Sequence, residues 1–345
     1  MIPWLIYRLG RLVIATWAIA SVAFILSRLS TQQPEQVAFS RSDSIGPRGS
    51  AAVLLAGERA MRHRLGLDVP LFYVSRRPGP PVRWQWNGTH NQYHFWLRQL
   101  LHGQLGLSYY DGQPIGPRIG AALRYTVPLM LLALLLAVSL ALLLAQYMAA
   151  GTGLLRRAVL LGLLGLQALP LFALALGLLL LLANPELFNI LPANDLSSEQ
   201  ASLGNLVAYL LLPLPSLVLS SLPELTLPLV ATLRHELTQP YATAARAKGL
   251  SVRQVLRRHA LPNAVLPLVV QLAGLLPNLA AGAVVVEVLF ALPGMGRLMA
   301  GAAYTQDFPV LLAGVLLVAA ARLLALLAAD VVHYRLDPRL RAALA

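Results

Sequence analysis

Four ionisable residues, Glu224, Glu287, Arg322 and Asp330, stand within or beside long apolar runs of a 345-residue chain. An ionised carboxylate at the middle of a bilayer costs about 2.5–3.5 kcal/mol on insertion scales. Such residues face a bundle interior or a wet cavity and mark substrate or ion pathways. Glu224 follows Pro223 in a stretch with Ser220 and Ser221, and is a candidate pathway residue; packing or pairing inside the bundle is the competing reading. Glu287 and Asp330 fall near the ends of their runs, where the penalty declines, and Arg322 could neutralise one of them. Elsewhere the chemistry is sparse. His90 and His94 are four residues apart, with His102 following, and on a helix the first two could share a metal. No carboxylate or cysteine adjoins them, Asp111 being the nearest acid, so they read as polar loop residues. No Ser-His-Asp or paired-carboxylate constellation has a defensible spacing. Neither a catalytic residue nor a metal ligand is assigned.

Cysteine is absent, which excludes disulfides and thiolate metal sites. Lysine occurs once, at Lys248, and is followed by Gly249-Leu250. A Walker A phosphate loop needs Gly-Lys-Ser/Thr, so the chain carries no nucleotide-binding loop of that kind and no cofactor of its own is expected. Apolar residues make up 57% of the chain and charged ones only 12%, which overrides the two soluble domains that length alone would predict. The net charge of +13 lies to a large extent in short loops, where it sets topology. A nucleic-acid partner is set aside, because no basic domain could fold apart from the apolar runs.

Six apolar runs reach spanning length, roughly 4–29, 124–149, 158–183, 206–233, 264–290 and 308–332. The reading is an all-α, multi-pass integral membrane protein. Its parts are a first transmembrane helix (1–30), an extracytoplasmic segment (31–122), a five-helix core (123–333) and a tail (334–345). Within the core lies a basic loop, 234–262. A cleaved signal peptide is the rival reading of the first run, but Ala18-Ile19-Ala20 lies inside it, so a retained anchor is expected. Arg156 and Arg157, the six basic residues of the 234–262 loop, and Arg335, Arg339 and Arg341 all fall on one side. Loop 184–205 has Glu186, Asp195 and Glu199 and no Lys or Arg. Both termini are therefore expected in the cytoplasm. Residues 51–65 read as a short amphipathic helix and 76–94 as loop, with a low-specificity glycosylation sequon at Asn87-Gly88-Thr89. Prolines 128, 170, 213, 215, 223, 228, 267 and 277 fall in the runs. They are either kinks packed by neighbours or bends around a pathway.

The basic loop has its own architecture. A helix over 239–248 places Tyr241, Ala244, Ala245 and Lys248 on one face. Small residues there admit another protein's backbone. Gly249 suits the left-handed turn that ends a helix, and Ser251 an N-cap for the next, which is basic through Arg258. A basic helical loop resting on lipid headgroups would have the same composition, and both readings are open on the residues alone.

The loop resembles a known family. Ala244-Ala245, Gly249 and Leu266-Pro267 are similar to the EAA motif of binding-protein-dependent ABC importers. Tyr241, Ala245-Arg246-Ala247-Lys248-Gly249-Leu250, His259 and Asn263-Ala264 resemble its dipeptide/oligopeptide permease branch, with Thr243 in place of the motif's usual glutamate. Gly66-Leu67-Asp68, Pro70-Leu71, Trp96-Leu97 and Gly103-Gln104-Leu105-Gly106-Leu107-Ser108 resemble the outer segment of the B-type subunit. Val284-Val285-Val286-Glu287, Phe290, Pro293-Gly294-Met295-Gly296 and Asp307 resemble its fifth-span exit and outer re-entrant turn, and Asp330 with Asp337-Pro338-Arg339 resembles its C-terminal end. The chain departs from the pattern at Ser30–Pro34, Gln104 and Gln306.

The resemblance implies a type I ABC importer transmembrane fold of six helices in a bacterial inner membrane. It implies import of di- or oligopeptides, with nickel chelates, metallophores or another small solute as alternatives. An ion-coupled secondary transporter, supported by Glu224, is the more distant one. The implied partners are a second homologous permease subunit in a heterodimer, two ATPase subunits that hold ATP and Mg, and an extracytoplasmic binding protein. Residues implied to couple to the ATPase are Glu236, Tyr241, Ala244, Ala245, Arg246, Lys248 and Gly249. Those implied for the pathway or gate are Glu224, Glu287, Pro293, Gly294, Gly296 and Asp307.

Overall fold

The computed structural model describes residues 2–30, 68–77, 83–183 and 210–336. The expected helix at 51–65, the acidic loop 184–205 and the Asp337-Pro338-Arg339 end lie outside these residues. The described chain is mostly helical. Helix α1 is Ile2–Ser30, followed by strands β1 (Val74–Arg77) and β2 (Arg83–Trp86). Then come α2 (Gln92–Leu101), α3 (Ile115–Ala149), α4 (Leu154–Ala168) and α5 (Leu171–Ala183). After these follow α6 (Pro213–Thr238), α7 (Pro240–Ala247), α8 (Val252–Val255), a π turn (Leu256–Ala260) and α9 (Leu261–Leu289). The last two helices are α10 (Met295–Tyr304) and α11 (Phe308–Leu336).

Among the described residues, four helices are long and apolar enough to cross a membrane: α3, α6, Pro267–Leu289 of α9 and Phe308–Val332 of α11. The run expected as the third span, with Pro170 as a kink or bend in it, is broken into two helices. Helices α4 and α5 meet at an angle of 108°, and as one bent span they would make a fifth. The cause is Pro170, whose ring disfavours helical backbone at the preceding residue. Leu169 is accordingly extended, at φ −87° and ψ 124°. Within α1 the apolar stretch is Leu9–Val22.

The chain divides into two compact units. The first comprises 1–16, 121–300 and 318–345. Helix α6 is its centre, packed by α9, α4 and α5. Leu129, Ala133, Ala137, Ala141 and Ala145 form a buried row on α3 at four-residue spacing. Such small residues permit close helix approach in the absence of a strong hydrophobic drive between membrane helices. Pro223 and Pro228 interrupt the α6 hydrogen-bond ladder, and hydroxyls pair with its carbonyls: Ser221 donates to Leu217 O at 2.8 Å and Thr232 to Pro228 O at 3.0 Å. The π turn ends two residues before Pro262, which lacks the N–H a regular helix would use there. Helices α8 and α9 thereby run on as one helical path through the π turn.

The second unit comprises 17–120 and 301–317. Here 76–94 is not loop throughout. Strands β1 and β2 form an antiparallel hairpin pairing Val74 with Trp86 and Arg76 with Trp84. Alternation of Trp84 and Trp86 along the strand is the β signal that the proline-rich Pro78–Pro81 stretch masked. Asn87 donates to Phe72 O and accepts from Ser75, which fastens the sequon asparagine to the hairpin. Buried Asn91 caps α2 by accepting the His94 N–H at 2.8 Å. Phe24, Phe72, Tyr93 and Trp96 form the aromatic core, and the Tyr93 and Ser21 hydroxyls meet at 2.7 Å.

Candidate functional site

The residues expected at a docking loop converge on α7. Pro240 opens the helix and Lys248 closes it. Gly249 follows at φ +89°, with its N–H on Arg246 O at 2.9 Å and the Leu250 N–H on Ala245 O at 3.3 Å. That bond pair is the left-handed helix stop expected from glycine. The Ser251 hydroxyl accepts the Gln254 N–H, and the Gln254 side chain accepts the Ser251 N–H at 2.8 Å. Both caps match the sequence reading.

The expected single face of α7 does not hold together. Ala242 and Ala245 turn inward against Val255, Leu237 and Leu250, while Tyr241, Ala244 and Lys248 stay exposed. Their three-residue spacing makes an alanine seam that fits against α8, which the four-residue reading overlooked. Arg246 stays exposed, and its guanidinium donates to Leu237 O at 3.1 Å and so caps the end of α6.

Tyr241, Glu236 and Asn263 close a polar triangle. The Tyr241 hydroxyl donates to a Glu236 carboxylate oxygen, and the Asn263 amide donates to that oxygen and to the Tyr241 oxygen, each at 3.2 Å. The triangle ties the end of α6 to the first turn of α7 and the first turn of α9. Burial pushes the Tyr241 phenol above its ordinary value, the Glu236 hydrogen bond and charge push the same way, and Asn263 pulls against them. The His259 ring lies beyond, its centroid 6.4 Å from that of Tyr241.

The pathway candidates form three separate places. Glu287, expected near the end of its apolar run with Arg322 able to neutralise either it or Asp330, is completely buried. Thr126 of α3 donates to its Oε1 at 2.6 Å, and the Gly296 and Arg297 N–H groups donate to its Oε2 at 2.6 and 3.3 Å. Thr126 in turn accepts the Met295 N–H at 2.7 Å. Glu287 thus holds the first turn of α10, with α3 as backing, and Arg322 sits exposed on α11. Gly294 and Gly296 are required by this close approach. A Cβ on Gly296 would lie 2.3 Å from Val284 Cα. Pro293 is exposed at the rim of the turn.

Asp307, 2% exposed, accepts the Ser108 hydroxyl at 2.5 Å and the Tyr109 N–H at 3.0 Å. Ser108 also accepts the Tyr110 and Asp111 N–H groups, so one carboxylate organises the whole 108–113 loop. Beyond it, burial alone would raise the Asp111 carboxyl. The Gln113 N–H and the Arg118 guanidinium, each 3.0 Å from a carboxylate oxygen, outweigh burial and hold it below its usual value.

Glu224 is exposed on α6 and receives the Asn278 amide of α9 at 3.3 and 3.5 Å from its two oxygens. Thr126 and Asn278 were not foreseen. Thr126 gives no local signal, its partner being 161 residues away. Asn278 had one, a polar amide inside an apolar run. Among the described residues, His94 pairs with Tyr73 and His102 with Arg98 O.

Comparison with known proteins bears on this arrangement. The family model described as "Binding-protein-dependent transport system inner membrane component" matches residues 124–342, from α3 to beyond α11. The dipeptide transport system permease protein DppB of Escherichia coli K12 is 29% identical over 328 residues, covering 85% of this chain and 90% of the relative. The di/tripeptide transport system permease protein DppB of Pseudomonas aeruginosa UCBPP-PA14 is 28% identical over 362 residues and covers 99% of both. The oligopeptide transport system permease protein AppB of Bacillus subtilis 168 is 31% identical over 257 residues, covering 72% of this chain and 79% of the relative. The chain therefore belongs to the family of inner membrane components of binding-protein-dependent transport systems.

Proposed function

We propose that this chain is the transmembrane permease subunit of an ATP-driven type I ABC importer for di- and oligopeptides. It forms one half of a translocation pathway beside a second, homologous permease subunit. The single observation that carries the coupling part is α7. It is a separate eight-residue helix between two long membrane helices, clamped to both by Glu236, Tyr241 and Asn263, and it leaves Tyr241, Ala244 and Lys248 uncovered. A helix so braced transmits a push to α6 and α9 rather than bending. Two ATPase subunits, which hold ATP and Mg, seat α7 and close on ATP. An extracytoplasmic binding protein delivers the peptide to the opposite face. The names of the three relatives support peptides as cargo.

In this reading the chain crosses the membrane six times with both termini in the cytoplasm, and residues 31–122 lie outside. Glu287, Pro293, Gly294 and Gly296 brace the outer end of the pathway rather than line it, since the carboxylate is buried and accepts three hydrogen bonds; Asp307, likewise buried, holds the 108–113 loop of the other unit. ATP binding favours one conformation only if the ATPase grips α7 differently in the two states.

The test is uptake of labelled dialanine by proteoliposomes holding the complete transporter and its binding protein. Uptake that requires ATP supports the reading. Uptake driven by a proton gradient without ATP would replace it with a secondary transporter.

A further inference from the structure

Between Pro213 and Leu233, α6 has three exposed positions, Glu224, Pro228 and Ala231. They stand at i, i+4 and i+7, on one face. On α9 the positions Gly274, Asn278, Ala281, Val285 and Val288 are exposed with the same periodicity. The Glu224–Asn278 hydrogen bond places these two faces side by side. Helix α3 supplies the contrast: its exposed positions include Leu131, Leu132, Leu135, Leu136, Leu140 and Leu143. A leucine face suits lipid. A face of Glu, Pro, Ala, Gly and Asn at membrane depth, apolar only toward its Val285–Val288 end, suits water or a polar guest.

Glu224 is underused for its chemistry. A carboxylate accepts about four hydrogen bonds, and among the described residues one amide serves it, across both oxygens at 3.3 and 3.5 Å. No described Lys, Arg or His pairs with it. The two Glu224 oxygens and the Asn278 carbonyl oxygen together offer three acceptor atoms. A primary ammonium has three N–H donors. The Asn278 amide reaches the two oxygens only at 3.3 and 3.5 Å, so an incoming ammonium can displace it and turn an N–H toward a carbonyl one residue further along a bound chain.

We propose that Glu224 and Asn278 form a station in the pathway for the amino terminus of a peptide: Glu224 takes the ammonium and Asn278 the first carbonyl. This rests on the permease reading above. The station reads groups shared by every peptide with a free amino end, so it is indifferent to side chains. Pro228, Ala231, Gly274 and Ala281 around it leave room for side chains of different size.

The experiment uses the complete transporter in proteoliposomes with its binding protein and labelled dialanine. Glu224→Gln keeps the shape and removes the charge. Dialanine imported per ATP should fall about tenfold, the scale of one hydrogen bond to a charged group. Glu224→Asp should fall less, and the subunit stoichiometry of both variants should match that of the unmodified complex. A carbodiimide added during turnover should join labelled dialanine to the unmodified chain through an amide bond at Glu224. It should not do so in Glu224→Gln, nor with N-acetyl-dialanine. Unchanged uptake in Glu224→Gln, or no label at Glu224 during active uptake, overturns the station. Loss of the second permease subunit from the Glu224→Gln complex also overturns it and makes Glu224 a subunit contact. Absence of ATP-dependent uptake in the unmodified transporter would instead end the permease reading itself.

Discussion

A Cβ atom on Gly294 would lie 2.2 Å from Cδ of Glu287. The carboxylate occupies the volume that any other residue at 294 would claim, and its position is held by Thr126 and by the Gly296 N–H. Gly294→Ala should destabilise the chain by about 1–3 kcal/mol through overpacking. Glu287→Ala should cost a similar amount by another route, since it orphans the buried Gly296 N–H. The double substitution should cost clearly less than the sum, because removing the carboxylate removes the clash. Thermal unfolding in detergent of the four proteins of this cycle measures it. Additive costs would mean that the two residues do not share the space.

Asp307 and Ser108 make the same kind of argument in the other compact unit. Asp307 is buried with two donors, and Ser108 spends its hydrogen on it while accepting two backbone N–H groups. Ser108→Ala strips the carboxylate of one donor and the 110–111 backbone of its acceptor. A loss of about 1–3 kcal/mol is expected, the cost of leaving a buried polar group unmade. Limited proteolysis should then cut the 108–113 loop well before unfolding. A protein with unchanged cleavage there would show that the loop does not depend on this contact.

Asp111 supplies a pH dependence with a definite sign. Its carboxyl is held below the ordinary 3.8, with burial opposing and the Gln113 N–H and Arg118 prevailing. A depressed carboxyl contributes stability above its ordinary value and loses it as pH falls through the folded value. Loop order should therefore weaken only in strong acid. Asp111→Asn should remove the Asp111 share of that acid sensitivity and leave behaviour near neutral pH almost unchanged. Hydrogen exchange of the 108–113 amides across the acid range reads this directly. Equal acid sensitivity in both proteins would assign it to another group.

Much of this site was legible along the chain, and the failures have physical causes. The stop at Gly249 and the cap at Ser251 follow from what glycine and serine do to adjacent backbone, so they needed no neighbours. Four of the long apolar runs were readable by length alone. Pro170 announced a bend, but nothing local distinguishes a kink that neighbours repair from a 108° break. Ala245 was placed on the wrong side because helical spacing defines faces without saying which face meets Val255. The burial of Glu287 depends on Thr126, and Asp307 depends on a loop nearly 200 residues earlier. Contacts at that separation are set by packing of whole helices, which local pattern does not encode. The hairpin was hidden because a cluster of prolines outweighed a short alternation of tryptophans.

Gly249 separates geometry from bulk. At φ +89° it occupies backbone space costly for L-residues, yet apart from its two chain neighbours no residue comes within 4 Å of a Cβ built there. Any effect of substitution therefore comes from the backbone and not from collision. Asn tolerates the left-handed region, Ala is strained by about 1–2 kcal/mol, and β-branched Val is worse. Relief of that strain unwinds the turn that sets α7 against α8, while the alanine seam and the Glu236–Tyr241–Asn263 triangle keep α7 attached. The expected order of dialanine imported per ATP is unmodified, then Asn, then Ala, then Val. ATP hydrolysis and expression in the membrane should persist throughout. The ratio of uptake to phosphate release in proteoliposomes gives the order. If Gly249→Val imported as much per ATP as the unmodified chain, the angle of α7 would not be what carries force into α6 and α9.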